Sequence, residues 1–350
     1  MNRYRVHLGM LLLFLFLSSV EARQCVTIGS LKAAPGASVS GFLEVPAGVD
    51  EGTRIPVTLI CGAEPGPTLG LLAGVHGYEY PGITALHQVR KQLDPASLSG
   101  AVIMVHVANP PSFLGRTIYY SPVDKQNLNR MFPGTPDGTV SQRIAHVLTT
   151  QVIERSDYLI DLHAGDGNES LRPYVYMPVT GDSKLDTAVK GLALAFGLDH
   201  IVIDEGRLRS PDDSLYTDQT ALTRGIPAIT TETGQLGSND AEWVSLAEAG
   251  VWNVLRHLKM ISGEVKDNKG VVWLTDYQVI ASPETGLFQA SVKDGYAVAE
   301  GTAIGTLVDW FGDEITQINA PFAGVVNYVL GTPPVSKGEP VAMISRLAEE

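Results

Sequence analysis

Cysteine is nearly absent: the 350-residue sequence holds only Cys25 and Cys61. Two cysteines cannot build a multi-thiolate metal site or a dense disulfide framework, and no histidine motif stands near either, which argues against thiol catalysis. Charge is also sparse. Charged residues make up 18% of the chain against 44% hydrophobic ones, and the formal net charge is −13. No basic run occurs, so an acidic surface excludes nucleic acid and anionic membranes as partners. No internal repeat or low-complexity segment stands out. Long apolar runs are missing as well: Leu11 to Leu17 is too short to span a bilayer. That run follows Arg3 and Arg5 and precedes Val20-Glu21-Ala22, which is the order of a secretory signal over residues 1–22, cleaved near Ala22. A periplasmic or secreted mature protein with no membrane span is expected, and export would let Cys25 and Cys61 pair. An uncleaved anchor is the alternative. Losing Arg3, Arg5 and Glu21 would move the formal charge from −13 to −14.

What is present is concentrated at a few places. The apolar run Leu69 to Val75 ends abruptly in His76-Gly77-Tyr78-Glu79. Such a short run, bounded by Gly and Pro, reads as a buried strand turning into a helix. His76 and Glu79, one helical turn apart, would then converge on one point. The run Tyr158-Leu159-Ile160-Asp161-Leu162-His163 repeats the pattern, closing a strand on a histidine. Two imidazoles and a carboxylate are the ligand set of a catalytic zinc with one position left open, so His76, Glu79 and His163 are the candidate ligands of one zinc per chain. A helix cap for Glu79 and hydrogen-bonded structural histidines are the competing reading. Asp161, on the same strand face as His163, is a candidate acceptor for its imidazole. Glu232 closes a third strand, Ile226 to Thr231, and is the natural proton acceptor from a metal-activated water, with a helix-capping or salt-bridged Glu as the competing reading.

His76-Gly77-Tyr78-Glu79, Asp161-Leu162-His163-Ala164-Gly165, Asn127-Leu128-Asn129-Arg130-Met131-Phe132-Pro133-Gly134 and Thr231-Glu232-Thr233-Gly234 together resemble the succinylglutamate desuccinylase/aspartoacylase family, a branch of the zinc carboxypeptidase fold. The resemblance runs over roughly residues 25 to 347. It implies that Asn129 and Arg130, with Asn127 beside them, bind the substrate's carboxylate, and that Arg116 stabilises the developing oxyanion. The polar segment from Arg207 to Tyr216 departs from the family pattern. Arg207, Arg209, Tyr216 or Arg224 are candidates for reading an acyl or side-chain carboxylate, and the acyl group stays open.

Strand and helix alternate from Leu69 to Lys259, with helices near 81–93, 140–154, 183–196, 216–224 and 240–259. This predicts an α/β domain over residues 23–262 with a mostly parallel mixed sheet and helices on both faces. Short strands are expected in its first part, ahead of the alternation, at Cys25–Leu31, Ser40–Val45 and Ile55–Ile60. The Gly/Pro-rich stretch from Asn109 to Gly138 is long for a connection and carries Arg116, Asn129 and Arg130. Residues 260–270 read as a polar linker. From 271 to 347 short β runs alternate with Gly turns, the pattern of a small antiparallel barrel or sandwich, and the segments Ile318 to Val326 and Val335 to Pro340 resemble the biotinyl/lipoyl-type barrel. No lysine stands in Asn327 to Gly331 where the attachment hairpin falls, so no lipoyl or biotinyl group is expected. The family uses this module to cover the site or to mediate assembly, and a homo-oligomer is compatible with it.

The reading that follows is an exported zinc-dependent amidohydrolase removing an acyl group from an N-acyl amino acid or related small, carboxylate-bearing amide. A zinc carboxypeptidase acting on cell-wall or other peptides is the second reading. A catalytically inactive zinc-bearing binding or scaffold protein is the third, and Glu232 argues against it because a binding protein needs no base.

Overall fold

The computed structural model describes residues 25–205, 209–266 and 270–348. The expected signal segment and Arg207 lie outside the described residues. The chain opens on a hairpin of β1 (Ala37–Val45) and β2 (Thr53–Cys61). Then come β3 (Glu64–Ala73), α1 (Tyr80–Gln92), β4 (Ser99–Val105), α2 (Pro110–Gly115) and α3 (Val140–Gln151). Next are β5 (Tyr158–His163), β6 (Glu169–Leu171), β7 (Tyr174–Val179), α4 (Ser183–Phe196) and β8 (His200–Glu205). α5 (Thr217–Leu222), β9 (Ala228–Glu232) and α6 (Ala241–His257) complete the mixed part.

β4, β3, β5 and β9 lie side by side and parallel, so their carboxyl ends share one rim. Their near-continuous apolar runs are what strands covered on both faces require; Leu69, Leu72, Ile103, Leu159, Ile160 and Ile229 are all buried. β7 runs antiparallel to β9, and β8 follows parallel to β7, which makes the sheet mixed. α6 packs against α1 and α4, while α5 lies against β5 and β9 beneath the rim. Local signals set the helix ends. The Asp182 side chain accepts hydrogen bonds from the Lys184 and Leu185 amides to start α4, and Gly197 ends it at φ 90°.

Beyond α6 the described residues hold strands only: β10 (Val272–Ala281), β11 (Gly286–Ala290), β12 (Ala297–Val298), β13 (Ala303–Val308), β14 (Glu314–Asn319), β15 (Gly324–Leu330), β16 (Pro334–Val335) and β17 (Pro340–Leu347). The expected separate barrel is not confirmed. β10 pairs in parallel with β8, so the main sheet continues through β10, β17, β15 and β12. β14, β13, β11 and β16 form a second, four-stranded antiparallel sheet. Phe288, Ile304 and Leu307 of that second sheet share an apolar core with Val326, Ala342 and Ile344 of the first. Among the described residues no ladder joins the two into a closed barrel. The pattern of short strands and Gly turns was read correctly as β, but it carries no information on which sheet a strand joins.

Two other expectations change. Cys25–Leu31 is not a strand; it makes one isolated bridge, Ile28 to Leu31, and is pinned by a Cys25–Cys61 disulfide with Cα atoms 5.9 Å apart. The 260–270 segment is not a free polar linker at its start. Met260 is buried in the main core and its carbonyl accepts from the Ser99 amide.

Candidate active site

His76 sits just past β3 in the turn to α1, and Glu79 is the N-cap residue of that helix. The expected helical pair is therefore a turn pair, with the same convergence reached before the helix starts. The turn is held by the chain leaving β4. The Ala108 and Asn109 amides donate to the Ala73 and Gly74 carbonyls, and Asn109 Nδ2 donates to the Val75 carbonyl. Gly77 is needed there because a Cβ would lie 2.5 Å from the Ser112 and Thr117 carbonyl oxygens. His163 is the last residue of β5 and Glu232 the last of β9, and the two are register partners on adjacent parallel strands. Carboxyl strand ends are where such sheets place ligands.

The Glu79 side chain does not cap its helix. One carboxylate oxygen lies 2.7 Å from His76 Nδ1 and the other 2.8 Å from His163 Nδ1. The outer ring nitrogens are also held: His163 Nε2 is 2.8 Å from Asp161 Oδ2, and His76 Nε2 is 3.1 Å from Asn127 Oδ1. Asp161 is fully buried and also accepts from the Thr217 hydroxyl. Asn127 Oδ1 accepts from the Asn129 amide as well, which fixes it as the oxygen.

Both nitrogens of each ring thus face oxygens that only accept, so a neutral imidazole, with a single N–H, leaves one nitrogen bare against an acceptor. A proton on each ring or a cation among the acceptors relieves this; with no ion present, burial pulls both imidazoles down, but the facing carboxylates more than offset it and push them above their ordinary value. Glu79 Oε2 has no hydrogen-bond partner despite its closeness to His163. The ligand atoms of His76, Glu79 and His163 all lie within 4.8 Å of one another and all three residues are buried. Two nitrogens, one carboxylate and outer partners on both rings fit a divalent metal ion. Burial pushes the Glu79 carboxyl up, but the charge of the His163 and His76 rings when protonated more than offsets this and holds it down at about 2.

Replacing Asp161 by Ala frees the His163 ring to rotate and change tautomer. We expect the metal affinity to fall by roughly 10–100-fold, the range for such outer partners. Chelator competition measures it; wild-type affinity in Asp161→Ala would show that the ring is held by packing alone.

The three ligand candidates open into a cavity of about 350 Å³ that also takes in Glu232, Asn127, Asn129 and Arg130, a size suited to a small molecule. Glu232 Oε2 is buried and has no hydrogen-bond partner. Burial pushes the Glu232 carboxyl well above its ordinary value; His163 pulls it back, while Glu79, Glu169 and Asp161 push it further up. Arg130 lies at the mouth with its guanidinium 4.5 Å over the Tyr216 ring. Arg116 is not brought in. It is exposed, ends α2 at φ 49°, and does not line the cavity. In its stead Tyr119 lines the cavity, edge-on to His76 with ring centroids 5.8 Å apart and its hydroxyl donating to Glu169 at 2.7 Å. Arg209 and Arg224 also lie outside: Arg224 pairs with Glu154 at 2.9 Å, and Arg209 reaches Asp213 at 3.6 Å.

Sequence reading missed several walls. Glu169 follows His163 on the same rim, and the polar Asp166-Gly167-Asn168-Glu169 loop after a ligand strand was a usable signal. Asp204, Asp218 and Gln219 carried none. Tyr277, Val279, Tyr328, Pro340 and Met343 come from the C-terminal strands, and only their long-range pairing brings them to the cavity. β6 pairs with Tyr328–Leu330 of β15, which ties those strands directly to the site.

Residues 65–258 match the Succinylglutamate desuccinylase/Aspartoacylase catalytic domain. The chain belongs to that family. It is an amide-cleaving hydrolase. It is 31% identical over 320 residues to the N-alpha-acetyl-L-2,4-diaminobutyric acid deacetylase of Halomonas elongata, covering 88% of this chain and 92% of that protein. The product-bound ectoine utilization protein EutE (DoeB) from Ruegeria pomeroyi superposes with a TM-score of 0.81 at 28% identity, covering 91% of this chain and 98% of that one. A succinylglutamate desuccinylase/aspartoacylase from Rhodobacter sphaeroides gives 0.79 at 27% identity, covering 89% and 96%.

Proposed function

We propose that this protein is an exported, zinc-dependent deacylase that removes a small neutral acyl group, acetyl above all, from the α-nitrogen of an amino acid. The observation that carries the reading is the convergence of the His76 and His163 imidazoles on the Glu79 carboxylate, beside the unpartnered Oε2 of Glu232, in one small cavity. His76, Glu79 and His163 would hold the zinc, which when bound supplies Lewis acidity and a more acidic water. Glu232 takes the proton of the attacking water and delivers it to the leaving amine. Asn129 and Arg130 hold the α-carboxylate, the planar guanidinium pairing with both oxygens. Tyr328 and Met343 close the inner wall against bulk water. The Halomonas relative named for an Nα-acetyl diamino acid makes that compound the first to try. Export is supported by the basic, apolar, small-residue order of residues 1–22 and by the Cys25–Cys61 pair, since disulfides persist in oxidising compartments. No helix among the described residues is long and apolar enough to cross a membrane.

A panel of Nα-acetyl amino acids and short peptides, assayed by amine release with zinc-loaded protein, tests the reading. We expect kcat/KM on acetyl amino acids to exceed that on dipeptides by at least about tenfold. The reverse order would make the protein a carboxypeptidase.

A further inference from the structure

A second pair of histidines stands outside the cavity and takes no part in the chemistry above. His106 follows the last residue of β4, and its amide donates to the Pro56 carbonyl at 3.0 Å, which carries the pairing with β2 one residue further. Side chains alternate along a strand, so His106 shares a face with Met104. The register partner of Met104 on β2 is Thr58, and that of Thr58 on β1 is Ser40. His106 Nε2 lies 2.8 Å from the Thr58 hydroxyl, which lies 2.8 Å from the Ser40 hydroxyl. With the ring proton on Nε2, the Thr58 hydroxyl accepts it and donates onward to Ser40, and Nδ1 is a lone pair. His106 is more than nine-tenths buried, and Nδ1 has no hydrogen-bond partner. A buried nitrogen left in that state is costly unless a ligand meets it.

The ring beside it is His87, from α1. The two ring centroids are 5.1 Å apart, the same separation as between His76 and His163. Metal–nitrogen distances of about 2.1 Å put two imidazole centroids on one tetrahedral ion roughly 5 Å apart. The Thr58 hydroxyl holds one nitrogen of His106 as Asp161 holds one of His163. Burial, with His87 and Arg90 nearby, pulls the His106 ring down to about 4, and burial, Arg90 and Lys91 pull His87 down as well. Neutral imidazoles are the form that binds metal. The same two cations oppose a bound dication, so this pair holds one more weakly than the set that includes the Glu79 carboxylate.

We propose that His87 and His106 form a second, weaker site for a transition-metal ion that favours imidazole nitrogen, of the nickel(II) or copper(II) type, with water filling its other positions. An ion there ties α1 to β4. Glu79 is the N-cap residue of α1, so the clamp steadies the helix that begins at a ligand candidate of the first site. The proposal does not depend on the deacylase reading.

The test is equilibrium dialysis of zinc-loaded protein against nickel(II), with both metals counted. The wild type is expected to take up one nickel per chain and keep its zinc, and His87→Ala to take up none at a concentration that saturates the wild type. Thr58→Val keeps the side-chain shape and removes the hydroxyl that holds Nε2, and is expected to bind nickel roughly 10–100-fold more weakly. His87 is exposed, so His87→Ala should melt like the wild type without nickel. Added nickel should then raise the melting temperature of the wild type alone. No uptake by the wild type, or equal uptake by His87→Ala, overturns the proposal. Nickel gained one for one with zinc released puts it in the first site and overturns the proposal equally. A protein that holds no zinc, yet loses its nickel in His87→Ala, would sink the first site and keep this one.

Discussion

Glu232→Gln is expected to lower turnover by roughly 10²–10⁴-fold, the usual contribution of a general base, while leaving the metal content and substrate affinity near wild type. The substitution keeps the shape and removes only the ability to hold a proton. Glu232 ends β9 as the register partner of His163, yet the Glu79 carboxylate already faces the two imidazole nitrogens. Its unpartnered Oε2 is thus left for the reacting water and not for the ion. Burial lifts the carboxyl above its ordinary range, which brings its proton affinity nearer to that of a working base at neutral pH. The sign follows from that direction. The base acts only when ionised, so kcat/KM should fall as pH drops through the raised pKa, and the Gln variant should lose this acidic limb. A variant that loses its metal along with its rate would make Glu232 a ligand. An unchanged rate would remove it from the chemistry.

The parts of the site that could be read in the sequence are those set by local strand ends. His163 and Glu232 each close a short apolar run, and parallel strands put such ends on one rim whatever the rest of the chain does. Glu79 was legible for a different reason than its geometry turned out to have. Its spacing from His76 suited a helix, but the two meet in the turn before it, because the amides after β4 fold that turn back over the sheet. Arg116 shows the limit of reading a register through a long loop. The stretch from Asn109 to Gly138 contains α2, and Arg116 ends that helix pointing to solvent, while Tyr119, three residues on, reaches the cavity. Nothing local in sequence separates the two. The C-terminal strands were legible as β but not as a wall of the site. Tyr328 and Met343 reach it only through the β8–β10 and β6–β15 pairings, contacts between segments more than fifty residues apart.

Loss of the metal is expected to have the largest effect of all. His163→Ala should hold less than about a tenth of an ion per chain and no measurable activity, because two protein ligands fall short of the three a catalytic zinc requires. The substitution also strips Asp161 of its imidazole partner. Asp161 is fully buried and would keep only the Thr217 hydroxyl, so a stability loss of about 1–3 kcal/mol is expected from the unsatisfied carboxylate. Stripping the wild type with a chelator separates the two effects. On the proposed reading it would leave every side chain in place and remove only the ion, so activity should vanish and the melting temperature should fall, then both return when zinc is added back. The loss of stability on chelation measures the ion's contribution, and any further loss in His163→Ala measures the buried Asp161. Full metal occupancy in His163→Ala, or an activity indifferent to chelation, would overturn the ligand set, and the convergence of His76, Glu79 and His163 would then be a hydrogen-bonded cluster of protonated imidazoles.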